Sequence, residues 1–254
     1  MLHLKHRLQT FKATYIISDY TISPLGDSAL LLSFGNTISR KINRNIIAIA
    51  NHFTQKPFCG LIDIIPAYSS ITFSFNLYAI SIKIIKNGTV FDCVKQQVEQ
   101  EMGNIKATES KIAELVEIPV CYDPELGNDM ASIMSATSLS EASIIQHHSA
   151  KKYYVYMLGF LPGFAYMGEV DDHLTLPRKM NPAKVKAGSV AIAGKQTGIY
   201  PLDSFGGWNV LGHTPVKIFN YLNAAPCYLK AGQEVKFYPV SLAEYRQFQS
   251  KALH

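Results

Sequence analysis

The chain has 254 residues, 48% hydrophobic and 17% charged, with a formal net charge of +5 at pH 7. This is globular composition, enough for one large domain or two smaller ones. The basic residues are spread out, with no run longer than Lys151-Lys152, which weighs against nucleic-acid binding. No apolar run reaches the roughly 18 residues of a membrane span. The N-terminal MLHLKHRLQTFK is charged and lacks the apolar stretch of a signal peptide. Residues 1–12 therefore read as a basic tail, and the protein as soluble and cytoplasmic. The four cysteines, at 59, 93, 121 and 227, contain no CxxC pair and read as reduced thiols.

In chain order, YIISDYTI (15–22) predicts a strand, 23–27 a turn, and SALLLSF (28–34) a strand buried on both faces. Asn36 or Thr37 is placed to cap a helix over 38–54, whose apolar face carries Ile38, Ile42, Ile46, Ile49 and Phe53. Arg40, Lys41, Asn43, Arg44 and Asn45 fall on the opposite side. A turn at 57–60 leads to strands at 61–66 and 70–77, and AISIKII (79–85) reads as extending or following the second. Asn87-Gly88 predicts a turn. Thr89 with Asp92 has the spacing of a capping box for a helix reaching Met102. LVEIPVC (115–121) predicts another strand. The order ββαββαβ suits helices on one face of an antiparallel sheet. Asp27 reads as a turn or cap carboxylate.

Residues 122–150 have a helical pattern. Ser138 with Glu141 resembles a capping box, and His147-His148 ends that helix, where the dipole favours a partly charged imidazole. From 153 the strands are short and divided by Gly and Pro. Candidates are 153–158, 173–176, 189–193, 197–200, 215–219 and 234–237, the pattern of a β-barrel or sandwich. A helix is predicted at 242–248.

The stretch 153–215 carries most of the glycines and the single tryptophan, Trp208. Gly188 to Gly194, followed by Lys195 and Gln196, is not a phosphate-binding loop: five residues separate the glycines instead of four, and Gln replaces the hydroxyl that would hold Mg²⁺. Ser189 with His213 is a weak nucleophile–base signal. No metal-ligand spacing occurs. What remains is a groove. Gly163, Gly168, Gly188, Gly194, Gly198, Gly206 and Gly207 allow close backbone approach. Phe164, Tyr166, Tyr200 and Trp208 supply apolar walls, and Lys195, Gln196, Thr197, Asn209 and His213 supply hydrogen bonds. The same residues fit a second account, in which the glycines turn barrel corners and the aromatics fill the core. The groove account predicts that Trp208→Ala with Gln196→Ala removes activity while sparing the unfolding midpoint; the core account predicts a large loss of stability.

Six motifs follow one another through the chain: PLGDSALLLSFG (24–35), IIPAYSSI (64–71), VEIPVCYD (116–123), VYMLGFLPGFAYMG (155–168), GSVAIAGKQTGIYP (188–201) and GGWNVLGHTP (206–215). By these the chain resembles the allophanate hydrolase subunit 1-like family over nearly its whole length. The resemblance implies an N-terminal α+β sandwich domain (13–114) followed by a cyclophilin-like β-barrel domain (115–254). It implies a hydrolase role as the B subunit of an ATP-dependent 5-oxoprolinase, inactive alone. The implied partners are a subunit 2-like C subunit of the KipA or PxpC type and an A subunit of the PxpA type. The complex would use ATP with Mg²⁺, no cofactor being assigned to this chain alone. Two other roles occur in the family: inhibition of a sensor histidine kinase, and a carboxyltransferase-type part in urea or allophanate metabolism. The site positions implied are Gly163, Phe164, Gly188, Ser189, Gly194, Gln196, Thr197, Tyr200, Gly207, Trp208, Thr214 and Pro215. The chain departs from the family at His213, where relatives carry Arg, at Pro182-Ala183, where many carry Pro-Arg, and at Phe205, where Pro is common. An Arg fork holds an anion bidentately, whereas His offers one pH-dependent contact.

Overall fold

The structure is a computed structural model and describes residues 19–84, 88–105 and 114–251. The basic tail, residues 15–18 of the first expected strand and Asn87 of the expected turn lie outside the described residues. By its internal contacts the chain divides into two units, Met1–Ile65 with Ser69–Ile112, and Pro66–Tyr68 with Ala113–His254.

The first is built from β1 (Thr21–Pro24), β2 (Ala29–Ser33), α1 (Arg40–Gln55), β3 (Leu61–Pro66), β4 (Ser70–Phe75), α2 (Leu77–Ile84) and α3 (Val90–Met102). Its sheet runs β1-β2-β4-β3, with β2 antiparallel to both neighbours. Period-two alternation drives Ile71, Phe73 and Phe75 of β4 and Leu30 and Leu32 of β2 into one core. β2 is thus buried on one face, not two, because its partner face holds half-buried Ala29, Leu31 and Ser33. Ile46, Ile49 and Phe53 of α1 close the core, with Phe53 edge-on to Phe73 at 4.9 Å.

Three local expectations change. Ile38 lies before α1 and is 47% exposed, while Asn43 and Asn45 are buried. The helix begins after Ser39, and neither Asn36 nor Thr37 caps it. Residues 77–84 form a helix in place of a strand. Asn76 starts it by accepting a hydrogen bond from the Ala79 amide at 3.0 Å. A short apolar run does not reveal its period, and the capping side chain decides. At α3 the capping box forms as the spacing predicts, with Thr89 and Asp92 bonded reciprocally.

The second unit contains β5 (Leu115–Val120), α4 (Met130–Thr137), α5 (Glu141–Ala150), β6 (Lys152–Leu158), β7 (Ala165–Gly168), a 3-10 turn (Asp172–Leu174), β8 (Ala183–Val185), β9 (Ser189–Ala193), β10 (Gln196–Ile199), β11 (Ser204–Gly206), β12 (Asn209–His213), β13 (Glu234–Pro239) and α6 (Leu242–Lys251). Seven strands form one sheet in the order β12-β9-β10-β7-β6-β13-β5, and β11 pairs with β8 separately. β5 pairs parallel to β13, so the strand at 115–120 belongs to this sheet and not to the first. The sheet curls, and its two ends meet. Cys121, just past β5, bridges His213 of β12, with main-chain bonds of 2.9 and 2.8 Å. Inside the curl lies a core that includes Ile118, Val155, Met167, Ile192, Leu211 and Phe237. The whole is an α+β chain, with helices on an antiparallel sheet followed by a cyclophilin-like barrel.

The barrel departs from expectation at short strands. Residues 173–176 make a 3-10 turn and one bridge, Leu176–Gly194, and 215–219 leaves only a Phe219–Cys227 bridge. β7, β8, β11 and β12 are three to five residues long, too short for alternation to show. Ser138 is the left-handed residue ending α4, and the cap of α5 is Ser140, which accepts from the Ser143 amide. All four cysteines are free thiols.

Candidate binding site

Phe164 enters on the turn before β7, Tyr200 ends the segment after β10, and Trp208 sits between β11 and β12. All three rings are buried, and they meet edge to face: Phe164–Trp208 at 5.3 Å, Phe164–Tyr200 at 5.2 Å and Phe164–Tyr166 at 4.8 Å. Such contacts orient rings as well as bury them. The backbone yields room for the cluster at Gly198, where an added Cβ would lie 2.9 Å from Phe164 Cζ.

On the outer side of this cluster lies a cavity of about 190 Å³. Phe164, Tyr166, Tyr200, Gly207 and Trp208 line it, together with Phe160, Arg178, Pro182, Phe205 and Gly206. Phe160 and Phe205 stand 65% and 64% exposed at its mouth. Phe160 has a left-handed φ of 68°, which a bulky side chain rarely adopts. Burial raises the Tyr166 phenol above its ordinary pKa, with Arg178 opposing. Burial likewise raises Tyr200, opposed first by a main-chain bond from Trp208 and then by Arg178. The phenols stay protonated, and among the described residues Arg178 is the only charge on the cavity wall. Tyr68 extends this corner. It packs against Tyr166 and Tyr156, and its hydroxyl accepts a hydrogen bond from Gln196 Nε2.

The remaining predicted positions stand elsewhere in the barrel. Gly194 and Lys195 make the two-residue turn between β9 and β10, and Lys195 pairs with Asp172 at 2.9 Å on the surface. Gly163, with a φ of +83°, is the turn before Phe164. Gly188 donates to the Tyr200 carbonyl at 2.7 Å, and Ser189 accepts there from Tyr200 N at 2.9 Å. Gly188 also needs its bare backbone, since a Cβ would collide with the His213 ring. His213 Nδ1 meets the Tyr245 hydroxyl at 2.9 Å, and burial lowers its pKa against opposing main-chain bonds to Ala187 and Thr214. It closes the barrel and does not line the cavity. Thr214 is buried and accepts from Val216 N at 3.2 Å, with Pro215 half-buried beside it.

Thr197 is buried in a polar chain. Its hydroxyl donates to Ala191 O at 3.2 Å and so must accept from His148 Nε2 at 2.9 Å. His148 Nδ1 then accepts from the Tyr122 hydroxyl at 2.7 Å. The ring is neutral: it is fully buried, and burial pulls its pKa down to about 3. Desolvation here outweighs the helix-end dipole that favours a charged imidazole. Its neighbour His147 is drawn with His173 around Asp171, the three ligand atoms all lying within 4.8 Å of one another. Hydrogen bonds from His173 hold the Asp171 carboxyl down at about 2. Two imidazoles and a carboxylate are a donor set that suits zinc. No sequence spacing marks it, because α5 supplies one ligand and the 3-10 turn the other two.

An α+β unit is followed by a curled barrel that carries a ring-walled cavity with one arginine on its wall, the frame of a carboxyltransferase-type fold. The chain belongs to the family described as carboxyltransferase domain, subdomain C and D, which matches residues 20–229. It is 37% identical over 236 residues to a Bacillus subtilis protein named as the B subunit of 5-oxoprolinase, covering 92% of this chain and 98% of that one. The crystal structure of TTHA0988 superposes with a TM-score of 0.73 at 34% identity over 84% of this chain, which spans 40% of that one. The K. lactis urea amidolyase shares the fold, with a TM-score of 0.68 at 16% identity over 90% of this chain and 15% of that one.

Proposed function

We propose that this chain is the B subunit of an ATP-dependent 5-oxoprolinase, converting 5-oxo-L-proline, ATP and water to L-glutamate, ADP and phosphate. The observation that carries the reading is the Bacillus subtilis relative, matched over 98% of its length. A lactam is a stable amide, so its carbonyl oxygen must first be made a leaving group. Attack of that oxygen on the γ-phosphorus of ATP breaks the γ-phosphorus bond to the bridging oxygen and releases ADP; one water then adds at the carbonyl carbon, the ring C–N bond breaks as the nitrogen takes up a proton to leave an acyl phosphate, and a second water hydrolyses that to the glutamate carboxylate and phosphate. The β9–turn–β10 hairpin has no helix N-terminus to seat phosphates. ATP with Mg²⁺ is therefore assigned to the complex and not to this hairpin. A subunit 2-like C subunit and an A subunit complete the assembly. Co-expression tests this. The chain should co-purify with a subunit 2-like protein from the same organism, and the mixture with the A subunit should form glutamate from 5-oxo-L-proline. An assembly that forms no glutamate, or that forms it equally well without this chain, defeats the reading.

A further inference from the structure

Arg178 is held in place from both sides. The Pro177 carbonyl accepts from Asn209 Nδ2 at 3.0 Å, and the Lys179 amide donates to Gly207 O at 2.7 Å. Lys179 Nζ binds Asp129 Oδ2 at 2.6 Å, and the same oxygen accepts from Val210 N at 2.7 Å. The backbone on either side of Arg178 is therefore anchored by tertiary bonds. Yet its guanidinium has no ion pair among the described residues. Carboxylates of this unit pair with lysines: Asp129 with Lys179, Asp203 with Lys186 and Asp172 with Lys195. A guanidinium on an anchored stretch of backbone, without an ion pair among the described residues and at the wall of a cavity, offers a two-pronged donor to a carboxylate.

The rest of the cavity sets what else the ligand carries. Its walls are ring faces and edges from Phe164, Tyr166, Tyr200 and Trp208, with no second charge among the described residues. At about 190 Å³ it is smaller than the 300–1,000 Å³ of pockets for drug-sized ligands, so a nucleotide does not fit within it. A bare hydrated anion would leave the rings unused.

We propose that this cavity is a subsite for a small ring-bearing carboxylate, with Arg178 gripping the carboxylate and the aromatic cluster enclosing the ring. That the acid is 5-oxo-L-proline rests on the function proposed above; that it is a small cyclic carboxylate rests on the cavity alone.

Trp208 is the chain's only tryptophan, so its fluorescence reports on the cavity directly. The full chain is titrated with 5-oxo-L-proline and with 2-pyrrolidone, the same ring without the carboxylate. The acid should give a saturable change, the lactam should bind at least tenfold more weakly, and Arg178→Ala should lose at least tenfold for the acid alone. In the reconstituted complex Arg178→Ala should raise KM for 5-oxo-L-proline at least tenfold and leave KM for ATP unchanged, with Arg178→Lys between it and the parent. Arg178 is exposed, so its variants should unfold at the parent's temperature. A KM for 5-oxo-L-proline unmoved by Arg178→Ala overturns the subsite. If the complex proves inactive, the function falls and the titration decides: equal responses from the parent and Arg178→Ala, or none from either, overturn the subsite too.

Discussion

Trp208 answers to both accounts of the glycine-rich stretch, since it lines the cavity and is only 5% exposed within the ring cluster. Trp208→Ala should therefore cost about 3–5 kcal/mol, the usual range for a buried tryptophan. The expectation that such a variant keeps its unfolding midpoint does not survive; a midpoint within a degree of the parent would show the ring to be packed loosely. His148 is a second single-residue case. Its pKa is about 3 folded against an unfolded value near 6.5, so the unfolded chain binds more protons between these limits. Its contribution is complete above pH 6.5 and is lost as pH falls toward 3, by up to about 5 kcal/mol. An NMR titration should find this imidazole still neutral at pH 5, and a midpoint near 6.5 would contradict its burial. Thr197→Val leaves the Nε2–H without an acceptor and should destabilise by about 1–3 kcal/mol. Thr197→Ser should restore most of the loss in thermal melts.

At the scale of elements, legibility follows length and locality. α1 and α3 could be read from their apolar spacing and, at α3, from a cap three residues away. α2 could not, because an eight-residue, mostly apolar run fits either period and the deciding bond comes from Asn76. The strands from β7 to β12 were half legible: β9 and β10 carry five and four residues of hairpin around Gly194-Lys195, while β8 and β11 are three residues each. Four of the six cavity rings, Phe164, Tyr166, Tyr200 and Trp208, could be picked out because aromatics between glycines are conspicuous. Arg178 could not, because its anchoring depends on Lys179 reaching Asp129, 50 residues away in sequence. Nor could the role of His213, which depends on barrel closure at Cys121. Closure itself is testable. A Cβ at Gly212 would sit 3.1 Å from Tyr122 Cα and closer still to the Cys121 carbonyl. Gly212→Ala should part this bridge, lowering stability by about 1–3 kcal/mol. The Cys121 and His213 amides should then exchange with solvent sooner than those of β9. Unchanged protection at both would mean that the sheet does not depend on this corner.

For the whole molecule, an α+β unit is followed by a curled barrel that carries a small ring-walled cavity. No helix among the described residues is long and apolar enough to cross a membrane. The cavity is too small for a nucleotide, so on the proposed function this chain would serve the oxoproline side of the reaction and the assembly would handle ATP. The measurement that bears on this most directly is the ATP consumed when 5-oxo-L-proline is added to the C and A subunits, with and without this chain. The account predicts that ATP hydrolysis and glutamate formation rise together only when the chain is present. Equal hydrolysis and equal glutamate in its absence would contradict it.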